Sequence, residues 1–319
     1  MIDFLSTPFS IGNISFRSRL IQGPLAGYSC APFRQLFHLY HPPAYSVSEM
    51  MSAQDVLTKH TATSRYLYRD PRETTLAYQI SGSNPETLAR AAKKLEAHGA
   101  DIIDINCGCP KNKIRKKGAG SALLNTPETL KQIIEAVRMA VHIPITVKIR
   151  ISESEYDVSL ANVIENAGAD AIIVHGRQWN EGYDTPSNLQ HINSIKKNTS
   201  IPIIANGDIS CKKTLKAAVE HSACDAFMIS RGGCGHPWLY QQLLSPTKKY
   251  SPIQIDEKIQ LFMMHLTGLE QLETEKKAVL QSKSLVRYYF KDVITPESLQ
   301  VFYSLDNLLA IKHFLDNFF

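Results

Sequence analysis

"TLAYQISGSNPETLARAAKKLEAHGADIIDIN", Thr75 to Asn106, contains one complete repeat of the fold. An apolar run ends at Ser81, and a helical pattern then opens with Asn84 in the N-cap position and Pro85 as its first residue. Leu88, Ala91, Ala92 and Leu95 recur on one helical face, Gly99 marks the stop, and a second apolar run begins at Asp101. Both runs are short and apolar on both faces, as parallel strands covered by helices are.

The same unit extends in both directions. RLIQG and AYSVSE precede it, and PITVKIR, AIIVHG, PIIANG and AFMISR follow, which makes eight buried strands in the first 235 residues. "NTPETLKQIIEAVRMAV" repeats the helix start with Thr126 and Pro127, followed by an Ile133, Ile134, Val137 stripe. Strand and helix alternating eight times over about 250 residues is the pattern of an α/β (β/α)8 TIM barrel. A doubly wound open sheet is the competing arrangement. Residues 1–240 are assigned to the barrel and 241–319 to a small helical bundle. In that tail Ile259, Phe262, Met263, Leu266 and Leu269 recur at helical spacing, Thr295 with Pro296 opens another helix, and Ser304 a last one. Met263 and Met264 are expected in the tail's core.

Hydrophobic residues make up 44% of the chain and charged residues 20%, an ordinary composition for a water-soluble globular protein. No apolar run is long enough to span a membrane, and the start MIDFLSTPFSIGNISF has no secretory pattern, so the expectation is cytoplasmic. The chain is also expected to be monomeric. Six cysteines show no zinc-site spacing, so no metal and no structural disulfide are expected. Net charge is +5; from Lys248 onward nine basic residues meet nine acidic ones, so the excess of 26 over 21 lies in residues 1–247. Contact with a polyanion is therefore expected to be a local patch.

A barrel carries its chemistry on the loops that leave the C-terminal ends of its strands. Polar residues sit there repeatedly: Gln79, Asn106, Lys148 with Arg150, His175, then Asn206, Gly207 and Asp208, then Arg231, Gly232 and Gly233. Singly, each reads equally well as a satisfied polar residue in a turn; together they suggest one pocket. The glycines and arginine of "ANGDIS" and "SRGGCGHPW" suit a phosphate after strands seven and eight. Lys148 would meet the other end of that ligand, where a cation stabilises an electron-rich ring, and the combination points to FMN.

"DINCGCPKNKIRKKGAGSALL", "PITVKIR", "VHGR", "IPIIANGDI" and "MISRGGCGHPW", with "GPLAGYSCAPFRQLF", "SEMMSA" and "AYQISGSNPETLARAA", resemble the tRNA dihydrouridine synthases, nearly end to end through the barrel. The tail is similar more loosely, through "LVRYYFKD" and "IKHFLDNFF", with a lean towards the bacterial B-type branch. The resemblance implies FMN contacts from Pro24, Leu25, Ala26, Gln79, Lys148, His175, Asn206, Gly207, Asp208, Ser230 and Arg231, with NADPH as reductant and tRNA as partner. It also implies that Cys109 is the catalytic acid in reducing the uracil C5–C6 bond. "GPLAG" stands where the family commonly has APMAG, "VKIRIS" lacks the usual glycine and tryptophan, and "SNLQHI" lacks a usual tryptophan and aspartate.

A thiol suits the acid role because it titrates at about 8.5, mostly protonated near neutrality yet able to release the proton. Cys107 is read as packing, and a small buried residue is the structural alternative for Cys109. Lys111, Lys113, Arg115, Lys116 and Lys117 follow the thiol; they are read as holding RNA phosphates, with a solvated loop as the alternative. Arg287, beside Tyr288 and Tyr289, is the tail's candidate RNA contact. Two other functions fit parts of the pattern: an FMN dehydrogenase of a free pyrimidine such as dihydroorotate, and an RNA-binding protein without catalysis.

Overall fold

The computed structural model describes residues 1–246 and 253–318. Eight strands close a parallel barrel: β1 (Leu20–Gln22), β2 (Ser46–Val47), β3 (Leu76–Ser81), β4 (Ile102–Cys107), β5 (Ile145–Arg150), β6 (Ala171–His175), β7 (Ile203–Asn206) and β8 (Ala226–Ile229). Each pairs with the next in sequence, from Gln22 opposite Ser46 round to Ile204 opposite Ala226. Phe227 opposite Leu20 closes the ring, which excludes an open sheet.

Strand pleating divides the side chains. Ile103, Ile105, Cys107, Ile145, Val147 and Ile149 face outward into one core shared with the surrounding helices. Val47, Ala77, Ile102, Ala171, Ile173 and Ala226 face inward and form a separate interior cluster. An antiparallel hairpin, Phe9–Ile11 with Ile14–Phe16, adds Phe9, Ile11 and Phe16 to that interior cluster. The sequence reading did not anticipate this hairpin. Moving up from the apolar layer two residues at a time, Ile102 leads to Asp104 and Asn106, Thr146 to Lys148 and Arg150, and Ile173 to His175. The barrel therefore turns polar towards its C-terminal mouth.

The helix Pro85–Ala97 begins as expected, with Asn84 Oδ1 accepting the Thr87 N–H at 2.8 Å. Thr126 precedes the helix Pro127–Ala140, but its hydroxyl donates to the Leu123 carbonyl and does not cap. The helix Leu239–Leu244 sends Leu239, Tyr240 and Leu243 into the barrel's outer core. Helices Ile255–Leu272, Glu275–Tyr289, Pro296–Ser304 and Leu308–Phe318 build the tail. Phe262, Leu266, Val286, Phe302 and Ile311 share its core with Cys30 and Leu36 from the barrel side.

Two expectations in the tail are corrected. Met264 is 54% exposed, because Phe262, His265 and Leu266 define the inward face and place it opposite. Ser304 ends a helix instead of starting one, and Asn307 caps the last helix by accepting the Ala310 N–H at 2.8 Å. Among the described residues no helix is long and apolar enough to cross a membrane.

Candidate active site

The barrel mouth opens into a cleft of about 790 Å³. Cys109 and all the expected FMN contacts line it: Pro24, Leu25, Ala26, Gln79, Lys148, His175, Asn206, Gly207, Asp208, Ser230 and Arg231. Arg287, Tyr288 and Lys291 from the tail complete its wall. Residues more than 250 positions apart thus share one chamber because strand ends and tail meet there.

Cys109 sits in a clamped turn. Asn106 Oδ1 accepts the backbone N–H groups of Gly108 at 3.3 Å and Cys109 at 3.0 Å. The Gly108 carbonyl accepts from Arg150 Nε at 2.9 Å, and the Cys109 carbonyl from Ser121 Oγ at 3.0 Å. Behind the turn, Asn106 Nδ2 donates to Gln79 Oε1 at 2.9 Å and Gln79 Nε2 to Asp104 Oδ2 at 2.6 Å. Thr146 Oγ1 donates to the other Asp104 oxygen at 2.6 Å. Cys109 is half-buried, whereas Cys107 is fully buried among the outer helices, and burial pushes its thiol well up. Two positions along a strand-and-turn separate a packing sulfur from an accessible one.

Lys148 crosses the chamber to donate to Asn206 Oδ1 at 2.9 Å. Burial lowers its ammonium to about 8, opposed by the nearby Asp104 carboxylate, which burial in turn raises to about 6. A buried cation of this kind favours an anionic ligand, whose charge offsets its desolvation. His175 is held down to about 2 by burial and then by Lys148, Arg150, Arg177 and Arg231, so it stays neutral. Arg177 Nη1 lies 3.2 Å from His175 Nε2. Arginine has only donors, so Nε2 accepts and the ring proton is on Nδ1.

Past β7 and β8 the backbone approaches itself closely. A Cβ on Gly232 would lie 2.3 Å from the Ile209 carbonyl oxygen, and one on Gly207, at φ +136°, 2.3 Å from Ser187 Oγ. Only glycine permits this cradle. With Ser230, Arg231 and Lys148 in the same lining, the donor set fits a ligand that carries a phosphate and an electron-rich ring. The Asp208 side chain is committed elsewhere: its carboxylate accepts from Arg177 Nη2 at 2.6 Å and the Ser187 N–H at 2.8 Å. That pins the loop after β6.

The cationic loop divides. Lys111, Lys113, Lys116 and Lys117 are exposed on and beside the short helix Asn112–Arg115. Arg115 is half-buried and, unlike them, anchored. Its Nη1 donates to Ser121 Oγ at 2.8 Å and its guanidinium lies 3.6 Å from the Trp179 ring centroid. Tyr289, beside Arg287, is buried in the tail and bonded to His265 Nδ1. Sequence reasoning placed Arg150 at the pocket without its hold on the Cys109 turn, and missed the roles of Asp104 and Arg177. A charged residue in the middle of "DIIDIN" was the available signal for the first.

Comparison with known proteins shows the family. Residues 21–304 match the family model described as dihydrouridine synthase (Dus). The chain is 35% identical to tRNA-dihydrouridine synthase B of Shewanella oneidensis, over 88% of each chain. It is 33% identical to tRNA-dihydrouridine synthase B of Vibrio vulnificus, over 96% of this chain and 98% of that one. Among solved structures, an old yellow enzyme homologue from Zymomonas mobilis superposes with a TM-score of 0.57 at 13% identity, covering 80% of this chain and 96% of the other. Histamine dehydrogenase from Rhizobium sp. 4-9 gives 0.57 at 13%, over 86% of this chain and 51% of its own length, and these two likenesses concern the fold. The extent of the family match and the identity to full-length relatives place the chain in the dihydrouridine synthase family.

Proposed function

We propose that this chain reduces the C5–C6 double bond of uridines in tRNA, with FMN as its cofactor, NADPH as the reductant and Cys109 as the proton donor. The observation that carries the reading is the convergence, in one cleft, of an accessible thiol, a buried lysine and a glycine-built phosphate cradle. When bound and reduced, FMN supplies the hydride that goes to C6.

The chain's own residues do the remainder. Ser230, Arg231 and the backbone near Gly207 and Gly232 would hold the phosphate, and Lys148, Gln79, His175 and Pro24 to Ala26 would hold the rest of the cofactor. Cys109 Sγ gives its proton to C5 as negative charge gathers there. Asn106, Arg150 and Ser121 keep the turn in place, so that the thiol does not have to be ordered during the reaction. The uracil has to leave its stack to enter the mouth. Lys111, Lys113, Lys116 and Lys117, with Arg287 across the cleft, hold the flanking phosphates, and the helical segment 241–319 serves as the RNA-facing part; its residues 247–252 and 319 lie outside the described residues.

The test is to purify the protein, measure flavin content before and after reconstitution, and incubate it with NADPH and tRNA lacking dihydrouridine. The expected result is a yellow protein that forms dihydrouridine, read by mass spectrometry of the digested tRNA, and leaves free uracil and dihydroorotate untouched. A colourless protein after reconstitution, or a flavoprotein that turns over free pyrimidines and not tRNA, would overturn the reading.

A further inference from the structure

Trp179 stands on the loop that leaves β6 and is 40% exposed. One face of its indole carries the Arg115 guanidinium, 3.6 Å from the ring centroid. The surroundings tie it to the thiol. Arg115 donates to Ser121 Oγ, which donates to the Cys109 carbonyl, and Arg150 joins the carbonyl of Gln178, next to Trp179, at 2.8 Å to that of Gly108 at 2.9 Å. The indole is therefore fixed to the Cys109 turn by two routes, with its exposed area outside the cleft lining.

A second aromatic on the same loop repeats the arrangement. Tyr183 is 60% exposed, lines the cleft, and has the Arg231 guanidinium 3.3 Å from its ring centroid. A ring held flat by a cation on one side is a rigid surface for a second flat group, since little further entropy is lost on stacking. The neighbourhood selects the partner. Arg115 shares its turn with four exposed lysines, so an apolar protein surface docking on Trp179 would have to desolvate them, whereas a nucleotide brings a base for the ring and a phosphate for the lysines.

On the reading of the substrate given above, we propose that Trp179 is a stacking platform for an unpaired base next to the one that enters the cleft. It is a binding residue for the neighbouring nucleotide and takes no part in the chemistry.

The chain has two tryptophans, and the other, Trp238, is 5% exposed in the tail core. In flavin-loaded Trp238→Phe protein, binding of tRNA is therefore expected to quench the remaining indole fluorescence. Trp179→Ala is expected to raise the Kd for tRNA about five- to 150-fold, the range for losing one base stack. Trp179→Phe should keep most of the affinity, and both variants should keep wild-type flavin content. Unchanged Kd without quenching overturns the proposal. So does a fall in kcat at unchanged Kd, which would mean that the ring serves only to hold Arg115 against the Cys109 turn. If the wild-type holoenzyme binds no tRNA at all, the reading of the substrate fails first, and the two failures are distinguishable.

Discussion

The amide of Gln79 is oriented by the carboxylate of Asp104: Nε2 donates to Oδ2 at 2.6 Å, which leaves Oε1 to accept from Asn106 Nδ2. Asp104 is an acceptor at the root of the chain, so each following amide has its polarity set, and the Asn106 oxygen necessarily faces the Cys109 N–H. Asp104→Leu removes the root and leaves the Gln79 and Thr146 donors unsatisfied, at about 1–3 kcal/mol each. The expected outcome is a fall in kcat with little change in the Kd for tRNA. Asp104→Asn should recover most of the rate, because its oxygen can still accept from Gln79 while its NH2 turns to the Thr146 hydroxyl. Steady-state kinetics of the two variants, beside a tRNA binding titration, checks this.

Cys109 and Cys107 provide an internal control of the proton donor. Cys109→Ala is expected to retain flavin and lose about 10²–10⁴-fold in turnover on tRNA, the usual contribution of a positioned acid. Cys107→Ala removes one sulfur from a packed core and should cost stability while leaving the chemistry intact. Equal losses of turnover in both variants would remove the assignment.

The inward direction of Asn106, Lys148, His175 and Asn206 was legible in sequence because strand periodicity is local: two residues along from an inward apolar residue is inward again. The cradle was legible because glycines follow the strand ends. What was not legible depends on distant partners. Nothing within the run 111–117 distinguishes Arg115 from the four lysines; its commitment to Trp179, far along the chain, does. Asp208 reads as a site residue and does line the cleft, but the hold of its carboxylate on Arg177 and Ser187 depends on residues that its own motif does not contain. Met264 lies off the stripe of Ile259, Phe262, Met263, Leu266 and Leu269, so its expected burial rested on apolar character alone, and helical periodicity turns it outward.

Lys148 gives a pH signature in stability. Its pKa falls from 10.5 when unfolded to about 8 in the folded chain, with burial the main cause. Between those values the unfolded chain binds the extra proton, so the contribution of this group to stability is level below about pH 8 and rises towards 10.5. The difference in Tm between Lys148→Met and wild type, both free of flavin, is therefore expected to shift in favour of wild type over that window. Thermal melts at a series of pH values check this, and a difference that stays flat through the window contradicts the lowered pKa.

The exposed lysines beside Cys109 should act on RNA alone. Lys116→Gln with Lys117→Gln is expected to raise the Kd for tRNA and reduce the slope of log K against log salt by up to about two, since each phosphate contact contributes about 0.7–0.9. Flavin content should not change, because neither residue lines the cleft. Filter binding across a salt series measures both, and unaltered affinity at low salt would return these lysines to the role of a solvated loop.

Arg65 joins the tail to the cofactor loop through one guanidinium. Its Nη2 donates to Glu49 Oε1 and its Nη1 to Glu273 Oε2, both at 2.5 Å, while Glu49 Oε2 accepts the Gly27 N–H at 2.9 Å. All three charged side chains are largely buried, so Arg65→Met leaves Glu49 without its cation and Glu273 with Lys277 alone, whose Nζ donates to Oε1 at 2.7 Å; the loss is about 3–5 kcal/mol by comparison with other broken buried pairs. The expected result is a Tm lower by roughly 10 °C, given a few degrees per kcal/mol for a chain of this size. Flavin affinity should fall with it, because Glu49 is no longer held against the loop that carries Pro24 to Ala26. Adding Glu49→Gln and Glu273→Gln to Arg65→Met should restore most of the Tm, since unpaired charge and not the missing bond carries the cost. Melts and flavin titrations of the single and triple variants decide it: a single variant as stable as wild type, or a triple variant no better than the single, would show that the tail is seated by its apolar core alone.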